Sequence, residues 1–234
     1  MQKLENLGNK YFEKARYNMV YNQLVPNGVT DKNIIDAMLK VFRHKFVDNK
    51  WRDVAYVDSI LPIRDTQTFI DDNRYLMTPM VFAKMLQAGE INSNSTVLDV
   101  GVNSGYSSII ISTIAQNVVA IDVDRRILKT ALGHVLLMHA EKKIEFYVTM
   151  EFKHNSDGAR FDLIFVNGIL NQIPEFLKSR LLENGRLTLI EKKNHLAQAV
   201  KYVKHRGNLI REVLFNVDAD YRLNVYMDLN GSLV

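Results

Sequence analysis

From Thr96 onward, short β-branched and apolar runs alternate with helical segments: TVLDV at 96–100, NVVAIDV at 117–123, IEFYVT at 144–149, FDLIFVN at 161–167 and GRLTLIE at 185–191. This alternation constrains the fold more than any other feature, because it predicts strands joined by crossover helices, an α/β chain with a parallel sheet. Most of the runs are nearly continuous in apolar residues, as in strands covered on both sides. Right-handed crossovers then give a doubly wound sandwich that binds ligands at the carboxyl ends of its strands. Beyond the fifth run, a basic helix is expected near 194–205. Two strand-like stretches follow, LIREVLFNV and RLNVYMDL, separated by Asp218-Ala219-Asp220. They predict an antiparallel hairpin closing one edge of the sheet.

The first ninety residues read differently. Phe12, Ala15, Met19 and Leu24 lie at helical spacing before a break at Pro26-Asn27-Gly28. Thr30 or Asp31 can cap a second helix, whose apolar stripe is Ile34, Ile35, Met38, Leu39 and Phe42. Residues 61–79, LPIRDTQTFIDDNRYLMTP, form a polar connection without clear periodicity, and so long a segment is a functional loop or a disordered one. The expected division is an N-terminal helical region with its loop at 1–90 and a ligand-binding domain at 91–234, forming one compact unit. There is no internal repeat and no low-complexity segment.

Composition removes several functions. With no cysteine, disulfides, zinc-thiolate sites, iron–sulfur clusters and a cysteine nucleophile are excluded. The formal charge of +4 is too small to demand a nucleic-acid or membrane partner. The N-terminal segment is charged and amphipathic rather than a signal sequence, and no run approaches a membrane span, so a cytoplasmic protein is expected. The sequon at Asn94-Ser95-Thr96 is then a chance match. No metal site is expected from the six histidines, since His134 and His139 are five apart and miss the spacing that aligns two ligands on a helix. The basic stretch of Lys192, Lys193, Lys201, Lys204, Arg206 and Arg211 reads as a solvated face before it reads as a phosphate contact.

The chemistry concentrates in VLDVGVNSGY, residues 97–106, a strand ending in Asp99 and then a turn bearing Gly101 and Gly105 that opens a helix. Glycines there let the backbone approach a ligand closely. The spacing is not the G-x-G-x-x-G of dinucleotide enzymes, and the turn lacks the Lys-Ser/Thr of a phosphate loop. Asp99 would repel a pyrophosphate but can attract a cationic ligand such as a sulfonium amino acid. Asp122 ends the second strand, where a carboxylate can accept hydrogen bonds from both hydroxyls of a ribose. Val123 follows it. Strand, acid, glycine turn, helix, strand and acid in this order resemble the class I methyltransferases that use S-adenosylmethionine. That resemblance implies a Rossmann-like, mostly parallel sheet. It also puts Glu151 and Phe152, after the third strand, where the adenine is held.

The resemblance extends beyond the cofactor motif. NQLVPNGVTDKNIIDAML with RHKFVDNKWRDVAYVDSILPI, then VLDVGVNSGYSS, ARFDLIFVNGILNQIP and LLENGRLTLI are together similar to the protein-L-isoaspartate O-methyltransferase family, from residue 15 to about 195. In the family, a glycine-rich loop ending in serine-x-proline follows leucine-proline-isoleucine. Here that loop is longer and lacks glycine, with Met77 in the serine's place and Thr78 beside it, while Gln67 and Thr68 echo the pattern. The turn also carries Val102-Asn103 where the family usually has a small, hydroxyl-bearing pair.

The resemblance implies methyl transfer from S-adenosylmethionine to the carboxylate of L-isoaspartyl residues in damaged proteins, leaving S-adenosylhomocysteine, by a monomeric enzyme. In this reading Asp99, Gly101 and Gly105 shape the methionine pocket, Asp122 holds the ribose, Glu151 and Phe152 the adenine, and Val102, Asn103 and Val123 complete the cofactor site. Thr78 and Asn167 line the acceptor side. A carboxylate acceptor needs no general base, so few catalytic side chains are expected. Two alternatives stay open: the same fold acting on another acceptor, a small molecule or RNA, or a binding module without catalysis. Against methylation of a base amino group, the fourth strand ends in Val166-Asn167-Gly168-Ile169, without an Asn-Pro-Pro-aromatic turn.

Overall fold

The computed structural model describes residues 2–63, 74–140, 143–155 and 158–218. Helix α1 (Gln2–Asn18) runs into a π-helical turn at Met19–Leu24, and the chain breaks at Gly28, whose φ is +90°. Asp31 caps α2 (Lys32–Lys40) by accepting from the amides of Asn33 and Ile34 at 2.8 and 3.4 Å. Ile34 and Met38 of the expected stripe are fully buried, whereas Phe42 lies past the end of the helix. Two short strands, β1 (Leu61–Pro62) and β2 (Tyr75–Leu76), pair antiparallel and close the base of the polar connection. Helix α3 (Pro79–Ala88) follows, capped by Thr78 and opened by a proline, which needs no amide partner at that position. Gln67 and Thr68 lie outside the described residues.

The sheet then forms as the alternation predicts. Its elements are β3 (Thr96–Val100), α4 (Tyr106–Ser112), β4 (Asn117–Asp122), α5 (Arg125–Leu137), β5 (Ile144–Val148), α6 (Thr149–Asn155), β6 (Phe161–Ile169), α7 (Glu175–Arg180) and β7 (Leu181–Lys193). The strands lie in the order β5-β4-β3-β6-β7, all parallel. The chain builds outward from β3 to β5 and then returns to β6 on the other side of β3, so the order reverses between β3 and β6. A crevice at the carboxyl ends of the strands forms at such a reversal. Leu98, Val118, Ala120, Leu163, Ile164, Phe165 and Val166 are at most 1% exposed, as strands covered on both faces require. One buried cluster joins Met19, Met38 and Phe82 of the first ninety residues to Ile110, Phe165 and Ala199 of the sheet region. Each such Leu or Ile removed from water contributes about 1.5–3 kcal/mol.

The expected basic helix near 194–205 is a strand, β8 (Leu196–His205), antiparallel to β7 with Leu189 opposite Val200. Burial explains the correction, because Ala197 and Ala199 point into the core while Gln198 between them does not, a period of two. The stretch LIREVLFNV forms β9 (Asn208–Val217) and pairs with β8, while RLNVYMDL lies outside the described residues. Arg206 and Gly207 both have positive φ, +50° and +79°, giving the two-residue turn whose twist matches a hairpin. Among the described residues the antiparallel edge of the sheet is β7-β8-β9.

Candidate functional site

At the end of β3 the backbone enters a turn in which Gly101, Asn103 and Gly105 have φ of +74°, +53° and +85°. Gly105 has a second requirement. A Cβ there would stand 3.2 Å from Cβ of Ala131 and 3.3 Å from its carbonyl oxygen, so α5 packs directly on the turn. Val102 is 1% exposed and belongs to the core, while Asn103 is 8% exposed and sits at the crevice. The buried hydroxyl of Ser104, in the same turn, has no hydrogen-bond partner among the described residues.

Asp99 lies beneath this turn and is fully buried. Its carboxylate accepts from Oγ of Ser107 at 2.7 Å, Oγ of Ser108 at 2.6 Å and Nδ2 of Asn167 at 2.6 Å. It ties α4 and β6 together from behind the turn, with both oxygens engaged by its own chain. Burial pushes its carboxyl up to about 6, against the pull of the Ser108, Ser107 and Asn167 hydrogen bonds. Asn167 also donates to Oγ of Ser107 at 3.1 Å, which places this residue in the Asp99 network.

Asp122 ends β4 on the neighbouring strand and is 3% exposed. It takes a two-pronged ion pair from Arg74, Nη1 to Oδ2 at 2.8 Å and Nη2 to Oδ1 at 2.9 Å. The Asp124 amide donates to Oδ1 at 3.1 Å, and the Asn103 amide approaches Oδ2 at 3.5 Å. Arg74 drew no attention in the sequence: it is a single arginine at the end of an aperiodic loop, and nothing in its neighbours marks it. The Ser107-Ser108 pair was more legible, lying on the first turn of a helix whose start the glycines announce.

Glu151, in the first turn of α6, is half exposed and ion-paired with Arg125. Val123 is partly buried at the β4 end. Phe152 is 2% exposed, with Tyr147 and Phe161 at 5.9 and 6.1 Å between ring centres and the Arg180 guanidinium 5.1 Å above its ring. Its ring is therefore packed within the core. Thr78, the cap of α3, is 8% exposed and its Oγ1 accepts from the Val81 amide at 3.3 Å. A cavity of about 320 Å³ opens beside it, lined by Asp58, Ile60, Thr78, Met80, Phe215 and Val217 among others. Met77, where the family's serine was expected, is 4% exposed.

The basic stretch lies on β7–β9 and is largely engaged: Lys201 pairs with Glu212 at 2.8 Å, Arg211 with Glu191 at 2.9 Å, and Lys204 donates to the Lys178 and Leu181 carbonyls. Among the described residues no group of His, Asp or Glu is placed to hold a metal ion, and no helix is long and apolar enough to cross a membrane.

Comparison with known proteins agrees with this architecture. The family model for protein-L-isoaspartate(D-aspartate) O-methyltransferase matches residues 15–220, past the expected limit near 195. Protein-L-isoaspartate O-methyltransferase 1 of Syntrophobacter fumaroxidans is 34% identical over 76% of this chain and 79% of its own. The Geobacter metallireducens protein-L-isoaspartate O-methyltransferase is 32% identical over 86% of this chain and 90% of its own. A solved protein-L-isoaspartate O-methyltransferase superposes with a TM-score of 0.74 at 22% identity, covering 86% of this chain and 64% of that longer one. A Plasmodium falciparum structure described as a putative member, in complex with S-adenosyl-L-homocysteine, gives 0.69 at 20% identity over 88% and 95%. With the family's model matched over almost the whole chain, and relatives above 30% identity covering most of its length, this chain belongs to the protein-L-isoaspartate O-methyltransferase family.

Proposed function

We infer that this chain is an S-adenosylmethionine-dependent methyltransferase that methylates the carboxylate of L-isoaspartyl residues in damaged proteins. The observation that carries the reading is the left-handed glycine turn at the sheet's reversal point, bordered by Asp122 and braced from below by Asp99, in a chain whose family is established over residues 15–220. The donor fits the residues present. The Asp122 carboxylate accepts two parallel donors at 2.8 and 2.9 Å, the same pattern that a vicinal ribose diol offers.

When bound, S-adenosylmethionine supplies a methyl group on a sulfonium, already activated for in-line displacement by a carboxylate oxygen. What remains for the protein is alignment and exclusion of water, and alignment of such reactants supplies roughly 7–11 kcal/mol of the barrier. In this reading Asp122 accepts from the ribose hydroxyls, Val123 and Asn103 flank that site, and Glu151 accepts from the adenine amino group after giving up Arg125. Gly101 brings the backbone close to the methionine portion. Asp99 acts on the turn through Ser107, Ser108 and Asn167 and is a positioning residue. Thr78, beside its cavity, and Asn167 lie on the acceptor side. We further read the chain as a cytoplasmic monomer in which 1–90 and 91–234 form one unit, the arrangement that the family resemblance and the shared buried cluster support.

One observation favours a second reading. Met77 replaces a hydroxyl-bearing residue next to the acceptor, which suits the same fold acting on another acceptor, such as a small molecule. Transfer of labelled methyl to an isoaspartyl peptide and its aspartyl twin separates the two. Selective, base-labile labelling of the isoaspartyl peptide is expected. Donor binding with neither peptide labelled would move the assignment to a different acceptor.

A further inference from the structure

Arg74 occupies the position that the proposed function gives to the ribose. Its guanidinium takes both oxygens of Asp122, and Nη1 also lies 3.5 Å from Oδ1 of Asn103. The pair is desolvated, with Arg74 9% and Asp122 3% exposed. Meanwhile the Arg74 backbone is fixed: its carbonyl accepts from the Ile63 amide at 2.8 Å, and the next two residues pair with Leu61 and Pro62. The Tyr75 carbonyl accepts from Nδ2 of Asn103, so the strand that follows Arg74 is also joined to the glycine turn. The side chain can therefore leave Asp122 by rotating about its own bonds while its backbone stays in place.

We propose that Arg74 is an affinity-setting residue that competes with the donor's ribose for Asp122. The two are mutually exclusive, since a carboxylate whose oxygens are filled by a guanidinium fork cannot at the same time accept from a diol on the same side. Donor binding is then an exchange, guanidinium out and ribose in. The apparent affinity is reduced by the fraction of molecules in which Asp122 is closed. This inference rests on the reading of Asp122 as the ribose acid and adds a self-ligand to it. A point charge such as lysine cannot reproduce the two-pronged contact and should compete less well.

The test is calorimetric titration of S-adenosylhomocysteine into the full chain, with no dependence on methyl transfer. Arg74→Ala should bind about tenfold more tightly than the parent. Arg74→Lys should fall between them, and it keeps the test valid if the alanine variant, left with a buried unpaired carboxylate, does not fold. In an Asp122→Ala background, Arg74→Ala should no longer tighten binding, a coupling that a general loosening of the structure would not produce. Equal or weaker binding by Arg74→Ala and Arg74→Lys, with parent binding intact, overturns the competition and leaves the donor reading standing. Absence of binding by the parent and by every Arg74 variant overturns both.

Discussion

Asp122 and Asp99 are both buried strand-end carboxylates, yet their partners give them different work. Asp122 faces the crevice and holds one removable cation, whereas Asp99 is saturated by two serines and an asparagine of its own chain. Asp122→Ala should therefore weaken S-adenosylhomocysteine binding by more than ~1 kcal/mol, the loss of charge-assisted hydrogen bonds to a buried ribose, measurable by titration calorimetry. Asp99 has a pH signature instead. Its carboxyl is raised from 3.8 to about 6, so between those values the folded chain holds a proton that the unfolded chain has released. Its contribution to stability accordingly falls as pH rises through that window. Denaturant midpoints from pH 4 to 6.5 should show this slope in the parent, and Asp99→Asn should remove it. A parent and variant with parallel profiles would contradict the assignment.

At the scale of elements, Arg43 joins the N-terminal region to the far end of the polar connection. It is wholly buried, donating from Nε to the Ala55 carbonyl at 2.8 Å and from Nη2 to the Met77 carbonyl at 2.7 Å, with its guanidinium 5.1 Å from the Tyr106 ring centre. Arg43→Met strips two buried carbonyls of their donor, at about 1–3 kcal/mol each, and urea unfolding should report a loss of ~3 kcal/mol. The central parallel strands were legible because nearly continuous apolar runs carry one message whatever surrounds them, while the residues of the edge strand β5 alternate in exposure. β8 was not: Lys201, Lys204 and His205 made the segment look like a solvated helix. Its strand state comes from pairing with β7 and β9 on both sides, which local sequence does not record. The same reason hid Arg74, whose partner is 48 residues away in the chain. The place of Asp122 at a strand end was readable from the apolar run before it, whereas the burial of Phe152 was not, because a strand end does not tell which way the next side chain turns.

For the whole molecule, the fold and the family point to one reaction, and what distinguishes this member lies along the 61–79 connection. There Met77 stands where the family resemblance puts a serine. That departure lies outside the sheet, on the side proposed for the acceptor. The most direct measurement is transfer of labelled methyl from S-adenosylmethionine to an isoaspartyl peptide by the parent and by Asp122→Ala, with the aspartyl twin alongside. Base-labile label on the isoaspartyl peptide alone, strongly reduced by the substitution at subsaturating donor, is the predicted result. Equal labelling of both peptides, or transfer indifferent to Asp122, would contradict the account.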